Sequence, residues 1–292
     1  MRYLDPVALA KLARLNLELR RLSAEGHASG RHRSVWRGMS SDFSQHRAYA
    51  PGDELKTLDW KVFARQDRYF VKEFKAESIL TTQILVDASG SMGFSEGGRP
   101  AKWEHACRLA VAMAYLIVSK GDAAGVVTFD EGPRDFVPPR ASLAHLELID
   151  ATLSARAPGG ETDLGAALER AAARIKRRSL IVLISDLLGE PERVVEVVKA
   201  FKARRHELLV LQVLDPAERD FDYEGPTVFE GLEDKRELFC DAGALQRLYR
   251  AEFDKLLRLL EASLHRSDIA YAPFYTDVPW EKSLQRFLTR WQ

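Results

Sequence analysis

Long apolar runs are missing from this 292-residue chain. None approaches the roughly 18–20 residues that a membrane span requires, so no transmembrane helix is expected. The N-terminal segment carries Lys11, Arg14, Glu18, Arg20 and Arg21, which is not the pattern of a signal peptide. Cysteine is scarce: Cys107 and Cys240 stand far apart, which reads as two reduced thiols rather than a disulfide framework or a metal pair. Neither sign of charge is in excess, with 43 Lys and Arg against 43 Asp and Glu, so net charge points to neither nucleic acid nor membrane as a partner. These absences together lead us to expect a cytoplasmic protein. An apolar fraction of 46% and a charged fraction of 29% are ordinary for a globular chain. The length admits one large α/β domain with appendages, or two modest domains.

Several catalytic signatures are absent as well. There is no Gly-x-x-x-x-Gly-Lys-Ser/Thr loop and no dinucleotide fingerprint, so the chain is not expected to hydrolyse ATP. Neither Ser89 nor Ser91 sits in a Gly-x-Ser-x-Gly elbow. The histidines at 27, 32, 46, 105, 145, 206 and 265 are scattered, and none stands at zinc-ligand spacing from a cysteine.

What is present is organised around Ile79 to Gly93. Ile84, Leu85 and Val86 form a short unbroken apolar run, as expected of a central strand buried on both faces of a parallel sheet. The run stops at Asp87, after which Asp87, Ser89 and Ser91 alternate, and Gly90 and Gly93 permit tight turns. A carboxylate and two hydroxyls at the carboxyl end of a buried strand lie where open α/β sheets place ligands. All three are hard oxygen donors of the kind a magnesium-like cation prefers.

From Ile79 to Leu214 short apolar strands alternate with helical patterns. This predicts a doubly wound, mainly parallel sheet. Strands are expected at 124–129, 180–184 and 208–213, with a short edge strand at Phe136-Val137 that stops at Pro138-Pro139. Two later strand-end loops add oxygen donors, Thr162 in Gly159-Gly160-Glu161-Thr162-Asp163, and Asp186 after the strand 180–184. Strand-end loops of a parallel sheet share one edge, so Asp87, Ser89, Ser91, Thr162 and Asp186 are expected to converge. Each also has a plain structural reading, because Ser, Thr and Asp at such turns cap helices, and Asp163 suits the cap of the helix that follows.

Upstream, apolar residues at Ala8, Leu12, Leu15, Leu19 and Leu22 follow one helix face. That face suits docking on the chain's own domain, or pairing in a short coiled coil. Residues 26–78 are loop-rich and aromatic. From Arg31 to Lys75 there are ten Lys or Arg against six Asp or Glu. Bases interleaved with aromatics are a single-strand nucleic-acid signature, whereas the interspersed acids suit internal ion pairs. The expected parts are therefore an N-terminal helix (1–25), a loop-rich subdomain (26–78) and an α/β domain with C-terminal helices (79–292), with a strand near 69–74 and a hairpin near 226–239.

Asp-x-Ser-x-Ser, a Gly-Gly-x-Thr-Asp loop and a strand-ending Asp, in that order, resemble the metal-ion-dependent adhesion site of the von Willebrand factor A (vWA) domain. The resemblance implies that Asp87, Ser89, Ser91, Thr162 and Asp186 hold magnesium or manganese, the two acids often through water. A partner protein's Glu or Asp would complete the coordination. Arg47-x-Tyr49-x-Pro51-Gly52-Asp53, followed by Asp59-Trp60 and Ala64-Arg65 directly ahead of the vWA-like strand, resembles the bacterial family called domain of unknown function 58. Lys56 stands where that family more often has Arg. This resemblance implies a vWA-like protein working with a MoxR-type AAA+ ATPase in assembly or maturation of other proteins, and not an enzyme. The roles of Arg47, Tyr49, Pro51, Gly52, Asp53, Asp59, Trp60 and Arg65 are left open, with Asp53, Asp59 and Arg65 expected to be structural. Two other readings stand beside it: a metal-dependent hydrolase using the same residues, and a single-strand nucleic-acid binder. A haloacid-dehalogenase-like phosphatase is disfavoured, because its second Asp would stand where Ser89 does.

Overall fold

The computed structural model describes residues 2–3, 5–13, 43–50, 53, 58–74, 80–160, 163–175, 177–234 and 236–290. By contact density the chain divides into two units, residues 27–79 and the remainder. Among the described residues no helix is long and apolar enough to cross a membrane.

The larger unit is built on a six-stranded sheet. Its strands are β3 (Thr81–Asp87), β4 (Ala123–Phe129), β5 (Pro133–Arg140), β6 (Leu180–Ser185), β7 (Glu207–Leu214) and β10 (Ala270–Tyr275), in the order β10-β7-β6-β3-β4-β5. Every pairing is parallel except β4 with β5. The chain thus runs from β3 outward to β4 and β5, then returns across β3 to lay down β6, β7 and β10. That reversal makes the crevice between the carboxyl ends of β3 and β6 the topological switch point, where such sheets bind ligands.

The apolar run of β3 is explained by its burial on both faces. Ile84 and Val86 enter one core with Ala106, Leu109 and Met113 of the helix Lys102–Val118. Leu85 enters the other core, with Leu168 of the helix Leu164–Arg174 and Val198 of the helix Pro191–Ala203. A fully buried Leu or Ile contributes about 1.5–3 kcal/mol, so β3 is among the most strongly anchored strands. The edge strand is longer than the sequence suggests. β5 runs through both Pro138 and Pro139, because an edge strand needs no N–H on its outer side. Gly125 sits against this bend, and a Cβ there would lie 2.4 Å from the Val137 carbonyl oxygen.

The N-terminal helix, described over Pro6–Ala13, docks on its own domain: Ala8, Leu9 and Leu12 join the core containing the helix Lys102–Val118. Leu15, Leu19 and Leu22 fall outside the described residues. The chain closes with a hairpin of β8 (Pro226–Glu230) and β9 (Glu237–Asp241), the helix Ala242–Arg266, β10 and the helix Trp280–Arg290.

The smaller unit has more regular structure than its composition suggests. β1 (Phe43–Ala48) pairs antiparallel with β2 (Phe70–Phe74), and a helix spans Trp60–Gln66. Asp59 caps that helix, accepting hydrogen bonds from the Lys61 and Val62 amides, while its other oxygen meets His46 Nε2 at 2.9 Å.

One histidine of the main core carries a pH dependence. His105 is buried, its Nε2 has no hydrogen-bond partner among the described residues, and burial, aided by Arg108, lowers its pKa from 6.5 to about 4. A folded-state pKa below the unfolded one means stability that is complete above pH 6.5 and is lost as pH falls toward 4. The loss should reach roughly 3 kcal/mol. Urea unfolding of wild type and His105→Leu from pH 7 to 4 checks it: wild type should lose stability relative to the variant toward acid pH, and a constant difference would contradict the assignment.

A candidate metal centre at the sheet's switch point

β3 delivers Asp87 and β6 ends at Ser185, on neighbouring strands whose carboxyl ends are level, Val86 facing Ile184. Asp87 is nearly inaccessible, and both its oxygens are engaged. Oδ1 accepts the Ser89 amide at 3.0 Å and Oδ2 accepts the Ser185 hydroxyl at 2.6 Å. Ser185 Oγ in turn accepts the Leu187 amide at 3.0 Å. Leu187 has a positive φ of 54°, a strained conformation for a branched residue that costs roughly 1–3 kcal/mol and clusters at functional sites. In the same turn Asp186 Oδ1 accepts the Leu188 amide at 3.2 Å.

Asp186 Oδ2 accepts the Ser91 hydroxyl at 2.7 Å, and Ser91 Oγ lies 3.1 Å from Ser89 Oγ. Ser89, Ser91 and Asp186 therefore form a contiguous set of oxygens, with Asp87 immediately behind. Adjacent ligands of a magnesium ion held at 2.0–2.1 Å stand about 2.9 Å apart, so this spacing suits an octahedral edge. The third loop packs alongside: the Gly90 amide bonds the Gly160 carbonyl at 3.1 Å, and the Gly159 amide bonds the Ala88 carbonyl at 2.9 Å. Thr162 lies outside the described residues. Asp163 caps the helix Leu164–Arg174 through the Ala166 amide.

Lys102 is a component that sequence reading missed. Its side chain is fully buried, with Nζ 2.8 Å from Asp186 Oδ2 and 2.5 Å from Glu218 Oε1. Burial pushes the Lys102 pKa down, but the two carboxylates more than offset this and hold it above its ordinary value. Burial raises the Glu218 pKa, with Lys102 opposing. Glu218 also closes a capping box, its Oε2 accepting the Asp215 amide at 2.8 Å, and Asp215 pairs with Arg99 Nη2 at 2.7 Å. An ionic chain thus links the ends of β6 and β7. Lys102 opens a helix that also carries Glu104, His105 and Arg108, so nothing local in the sequence marks it as buried. Gln212 is a second missed residue, donating to the Asp186 carbonyl at 2.7 Å and accepting from Tyr271.

The electrostatics favour a cation. Asp87 is pushed up to about 7 by burial and then by Asp186, with the Ser185 and Ser89 hydrogen bonds opposing. Asp87, Asp186 and Glu218 gather here around the single ammonium of Lys102, an excess of acid over base that a divalent ion would relieve. Among the described residues no group of three or more His, Cys, Asp and Glu side chains is placed to hold a metal, so an ion here depends on the serine hydroxyls. By donor type, spacing and charge the residues fit magnesium or manganese.

The residues resembling the family motif lie in the smaller unit. Arg47 is on β1 opposite Val71, and the Tyr49 amide bonds the Tyr69 carbonyl at 2.9 Å. Asp53 closes a turn by accepting the Ala50 amide at 2.9 Å, and Trp60 and Arg65 are exposed on the capped helix. Pro51 and Gly52 fall outside the described residues.

The model of the family described as "Protein of unknown function DUF58" matches residues 45–262. The chain belongs to the DUF58 family. Relatives of this DUF58 chain include uncharacterized protein Mb1516 of Mycobacterium bovis and uncharacterized protein Rv1480 of Mycobacterium tuberculosis. Each is 29% identical over 298 residues, covering 97% of this chain and 90% of the relative. Among solved structures it is similar to BatB from Bacteroides thetaiotaomicron, with 17% identity, a TM-score of 0.47 and coverage of 72% of this chain and 98% of that one. It is also similar to the SpRpn10 VWA domain, with 11% identity, a TM-score of 0.43 and coverage of 74% and 96%. The DUF58 chain has an α/β fold built on a mainly parallel sheet.

Proposed function

We propose that this DUF58 protein is a protein-binding module whose switch-point loops hold a divalent cation and take up a carboxylate from a partner. The observation that carries the reading is the convergence of Ser89 and Ser91, from the loop after β3, with Asp186, from the loop after β6, into one set of oxygens at ligand spacing, with Asp87 behind them on the Ser89 amide. A bound ion would supply a Lewis-acidic position for an incoming Glu or Asp. The protein's own residues do the rest. Asp87 and Asp186 neutralise the charge, Ser89 and Ser91 supply neutral donors, and the buried Lys102 and Gln212 fix the orientation of Asp186. Coordination in a partly desolvated crevice gives a specificity that an exposed ion pair does not. A MoxR-type AAA+ ATPase is the partner we propose, with assembly or maturation of other proteins as the process.

We propose no enzymatic activity. Against a metal-dependent hydrolase stands the engagement of the nearest acids: Asp87 is buried with both oxygens hydrogen-bonded, and Glu218 is tied to Lys102. Against single-strand binding stands the mutual stacking of Phe63 and Tyr69 at 4.5 Å, which occupies two of the rings such binding would use.

Asp87→Ala tests the reading. It is expected to abolish magnesium-dependent capture of the ATPase while leaving the unfolding transition in place, as followed by pull-down with and without chelator and by circular dichroism. A variant that no longer folds would make Asp87 a structural residue. Capture that survives both the variant and the chelator would end the proposal.

A further inference from the structure

A cavity with aromatic walls lies beside the candidate metal loop. The β8–β9 hairpin and the helix Ala242–Arg266 help enclose about 450 Å³, lined by Phe94, Phe221, Tyr223, Phe229, Leu248 and Tyr249. The rings brace one another: Phe221 stacks on Tyr249 at 4.2 Å, and Tyr223 meets Phe229 edge-on at 5.3 Å. Phe221 is held at a positive φ of 44° as the cap of the helix Pro216–Asp220, a strained conformation of the kind kept where a site needs it. The walls are therefore built before any ligand arrives. Two further lining residues, Leu238 and Leu248, are 60% and 63% exposed, apolar surface of the sort that marks an interaction site.

Two features say what fits it. The charged groups lining it among the described residues are Glu218 and Glu252, each already paired with a lysine, so the cavity offers burial to an apolar group rather than an ion pair to a cation. An apolar cavity of about 150 Å³ takes benzene, so this one has room for an aromatic side chain. The cavity is also continuous with the metal crevice, since Phe94, Tyr223 and Phe229 line the neighbouring cavity of about 520 Å³ that contains Ser91. The Phe94 amide donates to the Ser91 carbonyl at 3.0 Å. Three residues of such a tight turn span roughly 6 Å, a distance that an extended peptide covers in about two residues. Side chains two apart on an extended peptide face the same way. We propose that the aromatic cavity is the specificity pocket of the metal centre, taking a large apolar side chain that stands two residues from the metal-binding acid in an extended partner segment. The inference rests on the metal-binding reading above and names the partner's second determinant. Glu96 and Glu230 on the wall beside Ser91 repel an acid that arrives without a cation, so coordination and apolar burial act together.

The test uses the full chain and two synthetic probes, acetyl-Phe-Ser-Glu-Ser-Phe-amide and acetyl-Ala-Ser-Glu-Ser-Ala-amide, the first of which places a ring on either side of the acid. Calorimetry gives the affinity. Cys240 lines the cavity and reports its occupancy through the rate of modification by dithiodipyridine. Cys107 does not compete, being buried with its thiol pushed up by that burial. In magnesium the Phe peptide is expected to bind about tenfold more tightly than the Ala peptide and to slow the modification of Cys240. Leu238→Gln combined with Leu248→Gln, at two exposed positions, is expected to remove most of that difference. Chelator, or Asp87→Ala, is expected to remove the binding of both peptides. Equal affinity of the two peptides in magnesium would overturn the role of the cavity and leave the metal site standing. A Phe peptide that protects Cys240 equally well in chelator would make the cavity a separate apolar site and overturn its link to the acid. Binding of neither peptide would overturn the inference, and the stabilisation of wild type by magnesium alone then shows whether the metal reading falls with it.

Discussion

Lys102→Met is expected to destabilise the protein by about 3–5 kcal/mol, the range for removing one member of a buried ion pair. The size follows from what is left behind rather than from the pair's own strength. Lys102 is fully buried and its ammonium serves two carboxylates, Asp186 at 2.8 Å and Glu218 at 2.5 Å. Methionine fills a similar volume, so little of the loss comes from packing. Without the ammonium, Asp186 and Glu218 face each other and Asp87 in a low-dielectric crevice. The urea midpoint should fall at unchanged slope, and excess magnesium should restore part of the loss by supplying another cation. A loss below about 1 kcal/mol would mean that these acids are protonated or hydrated and that Lys102 organises nothing.

The second large effect is stabilisation by the ion itself. A ligand that binds only the native state stabilises it by about 2.7 kcal/mol at a hundred times its dissociation constant. That condition is met here by construction. Ser89 and Ser91 come from one loop and Asp186 from another 95 residues past Ser91, so the unfolded chain presents no such set. Chelation should reverse the gain fully, and Asp87→Ala should remove it. Asp87 is the residue of choice because its oxygens shape the loop, through the Ser89 amide, and tie it to β6, through Ser185.

How much of this was legible in the sequence depends on whether the interaction is local. Ile84-Leu85-Val86 announced a strand buried on both faces, and the halt at Asp87 announced its end. Ser89 and Ser91 followed from alternation within one loop. Asp186 followed from the matching halt of the run 180–184, because parallel strands end on one edge. The prolines of β5 misled, since Pro138-Pro139 reads as a terminator until the strand is known to lie at the sheet edge. The helix Trp60–Gln66 was hidden among aromatics and charges, and only Asp59 as its cap betrays it. Lys102 and Gln212 were out of reach for another reason. They act across 84 and 26 residues of chain, and no local pattern distinguishes a lysine that will be buried on two acids from one that will face water.

The most direct test is a thermal-shift titration with magnesium and with manganese, on wild type and on Asp87→Ala. The expected result is a saturable rise in wild type, reversed by chelator, reaching about 2.7 kcal/mol at a hundredfold excess over the dissociation constant, and no rise in a folded Asp87→Ala. No rise in wild type, or an equal rise in both proteins, would contradict the account and leave Asp87, Ser89, Ser91 and Asp186 as capped turns at the end of a sheet.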